Sequence, residues 1–276
     1  MIQSTEFPSF ESSAPQPVAR IDAPLLASVD GWGINVATMS DAIKAITDAA
    51  GRGEGCAVFT LNLDHLVKLR RDAKFRSAYR SARFVTADGA PVARIARAQS
   101  PGIERTTGAD LVLPLALAAA EQGLPVYLFG SEPGVLGRAG RRLVENTEGR
   151  LSIAGSEAPA MGFDPESAAA DAAIDRIAAS GARICFLALG APKQELLAAR
   201  AVARGAPVVF VCIGAALDFL AGSQTRAPRF LQNNGLEWIW RLATNPRRLA
   251  TRYAQCALLL ARLTFTTPEG RSNTTG

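Results

Sequence analysis

Apolar runs alternate with amphipathic stretches over most of the chain. The runs CAVFTLNL, LPVYLFG and RICFLALG are continuously apolar, which is typical of strands buried on both faces of a parallel sheet. Between such runs, SDAIKAITDAAGRG predicts a helix capped by Ser40, and LVKLRRDAKFRSAYRSA predicts a single amphipathic helix. The alternation predicts an α/β fold with a doubly wound, Rossmann-like, mostly parallel sheet.

The pattern changes after the last predicted strand, PVVFVCIGAALDF, because the following residues are basic and have helical spacing. We therefore predict an α/β core over residues 21–224 and a basic helical appendage over residues 225–266. Residues 1–20, rich in Ser, Pro and Glu, and residues 267–276 are predicted to be disordered tails. The N-terminus lacks the basic and apolar regions of a secretory signal, and the four cysteines form no CxxC pair, which favours a cytoplasmic location.

The 276-residue chain has a formal net charge of +5, which favours an anionic partner. Residues 226–262 of the appendage contain seven arginines and one acid, Glu237, so this segment alone carries +6 and the rest of the chain is near −1. Guanidinium groups bind phosphate in a bidentate manner, and Arg248 and Arg252 share one helical face. The appendage therefore suits a phosphate-bearing partner. Nucleic acid is not expected, because no recognised DNA- or RNA-binding module accompanies the arginines.

An apolar stripe runs beside these arginines at helical spacing. Its members are Leu249, Tyr253, Cys256, Leu260 and Leu263. Such a helix either lies on anionic lipid with its apolar face down or packs against the core, and the sequence leaves both arrangements open.

Polar residues follow most of the predicted strands. In open parallel sheets, ligands bind beyond the carboxyl ends of the strands, so these residues are the candidates for a functional site. They are Thr60, Asn62, Asp64 and His65; Asp88 and Gly89; Gly130 to Glu132; Gly190 to Glu195; and Gly214 to Asp218.

Three of these candidates have more than one interpretation. Asp88, in TADG, is either a base or a turn former, and His65 is a base, a donor to a substrate or a structural cap. Gln194, in GAPKQE, both donates and accepts, as a nucleobase or a sugar hydroxyl requires. The same segment also suits an ordinary helix start after Pro192.

Several enzyme classes lack their sequence signatures here. The segment VDGWGIN does not contain the GxGxxG of a dinucleotide-binding fold, and GSEPG lacks both that spacing and a Walker lysine. No GxSxG elbow of a serine hydrolase is present. There is also no D-x-D pair, so a sugar-nucleotide enzyme would need other groups to neutralise its diphosphate leaving group.

Six stretches of the chain, in order, resemble the WecG/TagA/CpsF glycosyltransferases (glycosyltransferase family 26). They are TLNLDHLVKLRRD, TADGAPVARIAR, ERTTGADL, LFGSEPG, LGAPKQE and IGAALDFLAGSQTRAPRFLQNNGLEWIWRLATNPRRLATRY. The resemblance implies a Rossmann-like bacterial enzyme that moves a hexose or N-acetylhexosamine-type sugar, with inversion, from a UDP-sugar to a polyprenyl-diphosphate-linked saccharide. It further implies a role in exopolysaccharide, capsule or cell-wall polymer synthesis.

The resemblance also implies where the protein works and with what. It places the enzyme at the cytoplasmic face of the inner membrane, in contact with the surface lipids. It also implies that the protein self-associates and that catalysis needs no metal ion. A non-catalytic UDP-sugar-binding partner of a polysaccharide assembly complex is the alternative.

Matching positions in these motifs imply roles for individual residues. Asp88 is implied as the catalytic base, and Thr60 and Asn62 as its substrate-contacting neighbours. Arg105 is implied as a pocket arginine, and Gln194 as a nucleotide or sugar contact. The appendage arginines implied to bind the diphosphate are Arg241, Arg248 and Arg252.

Overall fold

The computed structural model describes residues 24–233, 236–244 and 246–265. The predicted tails, residues 1–20 and 267–276, lie outside the described residues, as do the helical side chains of Asn233, Arg241, Arg248 and Phe265.

The strands are β1 (Ala27–Val29), β2 (Trp32–Ile34), β3 (Cys56–Leu61), β4 (Phe84–Ala87), β5 (Val126–Gly130), β6 (Ile153–Glu157), β7 (Ile184–Ala188) and β8 (Val209–Cys212). The first two form an antiparallel hairpin. The other six form one all-parallel sheet in the order β4-β3-β8-β7-β5-β6. Helices cover both faces of this sheet, which confirms the predicted doubly wound, Rossmann-like α/β fold.

The helices of the α/β unit are α1 (Met39–Gly51), α2 (Leu63–Leu69), α3 (Ala73–Arg80), α4 (Ala90–Gln99), α5 (Gly108–Glu121), α6 (Pro133–Asn146), α7 (Ala168–Ala179), α8 (Lys193–Ala203) and α9 (Ala216–Leu220). Three more helices follow the last strand, namely α10 (Arg229–Asn233), α11 (Glu237–Thr244) and α12 (Pro246–Phe265). None of the helices in the described ranges is both long and apolar enough to cross a bilayer.

The core consists of two apolar layers, one on each face of the sheet. Successive strand residues point to opposite faces, so Phe59 and Leu61 of β3 join the layer that contains α2, α3 and α8. Val58 joins the layer that contains α1, α5 and α6. Because the central strands are buried on both sides, the polar groups that could meet a ligand lie at or just beyond their carboxyl ends.

Three local predictions from the sequence are wrong. The stretch 66–82 forms two helices rather than one, because the Asp72 carboxylate accepts from the backbone N–H groups of Lys74 and Phe75 and starts α3. The cap of α1 is Thr38, which forms a reciprocal capping box with Asp41, and not Ser40. The last strand ends at Cys212, and the residues beyond it turn into α9.

The C-terminal helix α12 packs on the layer that contains α2. Cys256 and Leu259 are buried in this layer, and Leu263 packs against it. Of the predicted apolar stripe, Cys256 and Leu263 therefore pack on the core. Leu259, which was not in the predicted stripe, is buried more deeply than Leu260, which is half-buried. Across α10, α11 and α12, four large apolar side chains are exposed, namely Phe230, Trp238, Ile239 and Leu258.

Candidate active site

Asp88 lies directly after β4 at the carboxyl end of the sheet. Its backbone N–H donates to the Leu61 carbonyl oxygen at 2.8 Å, which continues the pairing of β4 with β3. Its Oδ2 accepts hydrogen bonds from Asn62 Nδ2 at 3.1 Å and from Thr60 Oγ1 at 3.4 Å. The sequence-predicted Thr60, Asn62 and Asp88 therefore come together, and the Asp88 side chain is only partly buried.

Gly89 and Asn62 fix the direction of this carboxylate. Gly89 turns the chain into α4 with a φ of +78°, so the turn uses the glycine and leaves the Asp88 side chain for Thr60 and Asn62. Asn62 caps α2, because its Oδ1 accepts the backbone N–H of His65 at 3.0 Å. With Oδ1 occupied in this way, the Nδ2 donor of Asn62 faces Asp88.

His65 belongs to the interior rather than to the site surface. The residue is 4% exposed, and its Nδ1 lies 2.6 Å from the Tyr79 hydroxyl. Burial lowers the pKa of His65 to about 3, against the nearby charge of Asp64, so the imidazole is neutral at physiological pH. His65 thus has a structural place in the interior, but the cap of α2 is Asn62 and not His65.

Gln194 and Glu195, at the start of α8, are both buried. Gln194 Oε1 accepts the backbone N–H of Gly214 at 3.0 Å, and its Nε2 donates to Glu195 Oε1 at 2.8 Å. Gln194 thus joins the segments that follow β7 and β8 at the same edge of the sheet. Its predicted contact with a nucleotide or sugar is not among these contacts and stays a prediction.

Glu195, the last residue of the candidate segment Gly190 to Glu195, is a buried carboxyl group. It is 0% exposed, and its Oε1 lies 3.9 Å from His65 Nε2. Burial raises the pKa of Glu195 to about 7, while the hydrogen bond from Gln194 opposes this rise. Nothing in the apolar spacing of α8 distinguishes this position from an exposed one.

A second ionic cluster lies beside the end of β4. The Thr106 N–H donates to the Ala87 carbonyl oxygen at 2.8 Å, which holds the ERTTG loop against the strand that leads to Asp88. The next residue, Thr107, caps α5. Within this loop and helix, Arg105 Nη2 lies 3.7 Å from Asp110 Oδ2.

Arg226, at the start of the C-terminal segment, joins the same cluster. Its Nη1 lies 2.7 Å from Asp110 Oδ1, and its Nη2 lies 3.9 Å from Glu237. Burial alone would raise the pKa of Asp110, but the hydrogen bond and charge of Arg226, the Thr107 hydroxyl and the charge of Arg105 together hold it below its usual value. Sequence reasoning counted Arg226 in the basic segment but missed its place beside Arg105.

Arg252 contacts the α/β unit at α2, the helix that begins after Asn62. Its Nε lies 2.9 Å from Asp64 Oδ1, and Lys68 Nζ lies 2.5 Å from Asp64 Oδ2. Lys68 also donates to the Ala191 carbonyl oxygen at 3.1 Å. The side chains of Arg241 and Arg248 are outside the described part of the structure, so their predicted roles are not located.

The family model for WecG/TagA/CpsF glycosyl transferases matches residues 27–272, nearly the whole chain. The chain belongs to the WecG/TagA/CpsF glycosyltransferase family. This membership supports glycosyl transfer as the reaction.

In this glycosyltransferase, a partly exposed carboxylate follows β4, Arg105 lies in the loop that bonds to Ala87, and Arg252 contacts Asp64 in the helix that follows Asn62. A carboxylate held by two donors can accept a proton from a sugar hydroxyl, and guanidinium groups can stabilise the charge that develops on a leaving diphosphate. Over the described residues, no group of three or more His, Cys, Asp or Glu side chains is arranged to hold a metal ion.

Proposed function

We propose that this protein is an inverting glycosyltransferase that moves a hexose or N-acetylhexosamine-type sugar from a UDP-sugar to a polyprenyl-diphosphate-linked saccharide. The polymer would be a bacterial exopolysaccharide, a capsule or a cell-wall polymer. The observation that carries this proposal is the Asp88 carboxylate, partly exposed and held by Thr60 and Asn62 at the carboxyl end of two adjacent parallel strands. This is the position where open α/β sheets bind their ligands.

The proposed reaction is a single displacement. Asp88 takes the proton of the acceptor hydroxyl as the hydroxyl oxygen forms a bond to the anomeric carbon of the donor. The bond between that carbon and the UDP oxygen breaks, and the electron pair leaves on UDP. The configuration of the sugar is therefore inverted.

Arginines take the place of a divalent cation in this proposal. Arg105, Arg241, Arg248 and Arg252 stabilise the negative charge that grows on the UDP diphosphate, each more strongly in a closed, drier site than in water. Gln194 contributes to binding of the nucleotide or sugar. The enzyme accordingly needs no metal ion.

We also propose that the enzyme works at the cytoplasmic face of the inner membrane, as a peripheral protein that self-associates. Phe230 is 71% exposed and Leu258 is 67% exposed, and both lie in the arginine-rich C-terminal segment. Exposed apolar side chains among basic residues suit an anionic bilayer surface.

The test is an assay of the purified protein with a panel of UDP-sugars and a short polyprenyl-diphosphate-linked sugar as acceptor. We expect transfer from one donor, inversion of the anomeric centre and little effect of EDTA on the rate. If UDP-sugar binds but no donor supports transfer, the protein is a non-catalytic UDP-sugar-binding partner and not an enzyme. Strict dependence on Mn²⁺ would contradict the role given to the arginines.

A further inference from the structure

A groove of about 770 Å³ lies between α12 and the pair of helices α2 and α3. It is separate from the Thr60–Asn62–Asp88 cluster, although α2 connects the two. The charged residues that line it are Asp64, Lys68, Arg71, Asp72, Lys74 and Arg252. The groove thus has four cations and two carboxylates.

Both carboxylates of the groove already have partners. Asp64 lies between Lys68 and Arg252, and the Asp72 carboxylate accepts two backbone N–H groups at the start of α3. Arg71 is exposed, and its side chain makes no ion pair or hydrogen bond with any residue in the described ranges. Of the other cations, Lys68 and Arg252 share Asp64, and Lys74 Nζ lies 2.7 Å from Glu166 Oε2. Arg71 is therefore the cation that the groove offers to an anionic ligand.

The inner end of the groove is close to the candidate base. Helix α2 begins after Asn62, which holds Asp88, and Lys68 lies six residues further on, a rise of about 9 Å along the helix axis. Lys68 also donates to the Ala191 carbonyl oxygen at the carboxyl end of the sheet. A ligand that extends from Asp88 along α2 would reach the groove within the length of one sugar and its phosphate.

One exposed apolar side chain continues the face of α12 that lines the groove. Thr251 and Gln255 line the groove from α12, and Leu258 follows them on the same face of that helix. Leu258 is 67% exposed. A ligand with an anionic head in the groove could therefore lay a hydrocarbon chain along α12.

We propose that this groove binds the diphosphate of the prenyl-linked acceptor, with the prenyl chain leaving past Leu258. The inference rests on the proposed function for the identity of the acceptor. It adds Arg71 as a specificity residue for that substrate. Arg71 has no part in the donor site, so its loss affects the acceptor alone.

Binding of soluble probes tests the groove independently of transfer. The variants are Arg71→Gln and Leu258→Ser, with Arg142→Gln as the matched control, because Arg142 is an exposed arginine on α6 across the sheet. We expect farnesyl diphosphate to bind at least tenfold more tightly than inorganic pyrophosphate. Arg71→Gln should weaken farnesyl diphosphate binding roughly tenfold, the loss expected for one charge-assisted hydrogen bond.

The second variant and the control complete the design. Leu258→Ser should weaken farnesyl diphosphate binding several-fold and leave pyrophosphate unchanged, whereas Arg142→Gln should change neither. Arg71 and Leu258 are exposed, so both variants should melt at the temperature of the unaltered protein. Equal effects of Arg71→Gln and Arg142→Gln, or equal affinities for the two probes, would overturn the proposal.

Phosphatidylglycerol vesicles distinguish a diphosphate from a lipid headgroup. If Arg71→Gln weakens binding to such vesicles as much as it weakens farnesyl diphosphate binding, the groove recognises bilayer charge and the proposal is wrong. In the transfer assay, we expect a higher KM for the acceptor and an unchanged KM for the UDP-sugar. Absence of transfer with every donor would contradict the proposed function. If the Arg71→Gln enzyme is active and both its acceptor KM and its probe binding are unchanged, only the proposed role of the groove is wrong.

Discussion

Two carboxyl groups at the carboxyl end of the sheet, Asp88 and Glu195, have opposite environments. Asp88 is partly exposed, and its Oδ2 accepts hydrogen bonds from two side chains. Glu195 is fully buried, its Oε1 accepts from Gln194, and its Oε2 has no hydrogen-bond partner among the described residues. The pKa of Glu195, about 7, would suit a general base, but the residue is 0% exposed. Access, and not the pKa alone, therefore identifies Asp88 as the candidate base.

The largest expected effect is on turnover, which should distinguish Asp88 from Glu195. Asp88→Asn keeps the size of the side chain and an acceptor for Asn62 but removes the base, so turnover should fall about 100- to 10,000-fold. UDP-sugar affinity, measured by calorimetry, should stay nearly unchanged. Glu195→Gln, the matched amide, should keep most of its turnover.

Two results would reverse this comparison. One is a large loss of nucleotide affinity in Asp88→Asn with the chemical step preserved, which would make Asp88 a binding residue. The other is a loss of turnover in Glu195→Gln as large as that in Asp88→Asn, which would give the buried carboxyl a direct role.

The sequence predicts one of these environments and not the other, for a physical reason. Asp88 meets Thr60 and Asn62 because parallel strands bring their carboxyl ends to one edge, a consequence of the predicted fold. Glu195 is buried because α8 packs against α3 and β3, an arrangement in three dimensions that the spacing of apolar residues in one helix does not encode. The link between Arg226 and Asp110 was missed for the same reason, since the partners are far apart in the chain.

A smaller effect tests how Asp88 is held. Asn62→Ala removes both the cap of α2 and a donor to Asp88, whereas Asn62→Asp keeps the cap and replaces the donor with a second carboxylate. We expect Asn62→Ala to lose about 1 kcal/mol of stability, and Asn62→Asp to lose less. Turnover should fall roughly tenfold or more in both, because the base is no longer oriented.

The pH–rate profile distinguishes the two Asn62 variants. Two adjacent carboxylates favour sharing one proton, so the acid limb of the profile should move to higher pH in Asn62→Asp only. Identical profiles for the two variants would show that Asn62 does not act on Asp88.

The pH dependence of the free energy of unfolding tests whether Glu195 is buried. The pKa of Glu195 is about 7 in the folded protein and near 4.5 when exposed, so the folded state binds more protons between these values. Its contribution to stability is fully present below about pH 4.5 and is lost as pH rises through 7, a change of about 3 kcal/mol. Glu195→Gln cannot ionise and should lose this dependence.

Urea unfolding at pH 5.5 and pH 8.5 measures this difference. The free energy of unfolding should fall more between the two pH values for the unaltered protein than for Glu195→Gln. Parallel behaviour of the two proteins would mean that Glu195 is not buried as described.

The smallest expected effect concerns Tyr79 and His65, whose ring lies 3.9 Å from Glu195 and whose backbone N–H bonds to Asn62. Tyr79→Phe removes the hydroxyl that lies 2.6 Å from His65 Nδ1 and leaves a buried ring nitrogen without that partner. The expected cost is about 1–2 kcal/mol in urea unfolding. His65 contacts the site through its backbone N–H to Asn62, which the substitution leaves in place, so turnover and the pH–rate profile should be unchanged. A shift of the profile would show that the buried pair is coupled to the base, and the separation of Asp88 from the interior would then be incomplete.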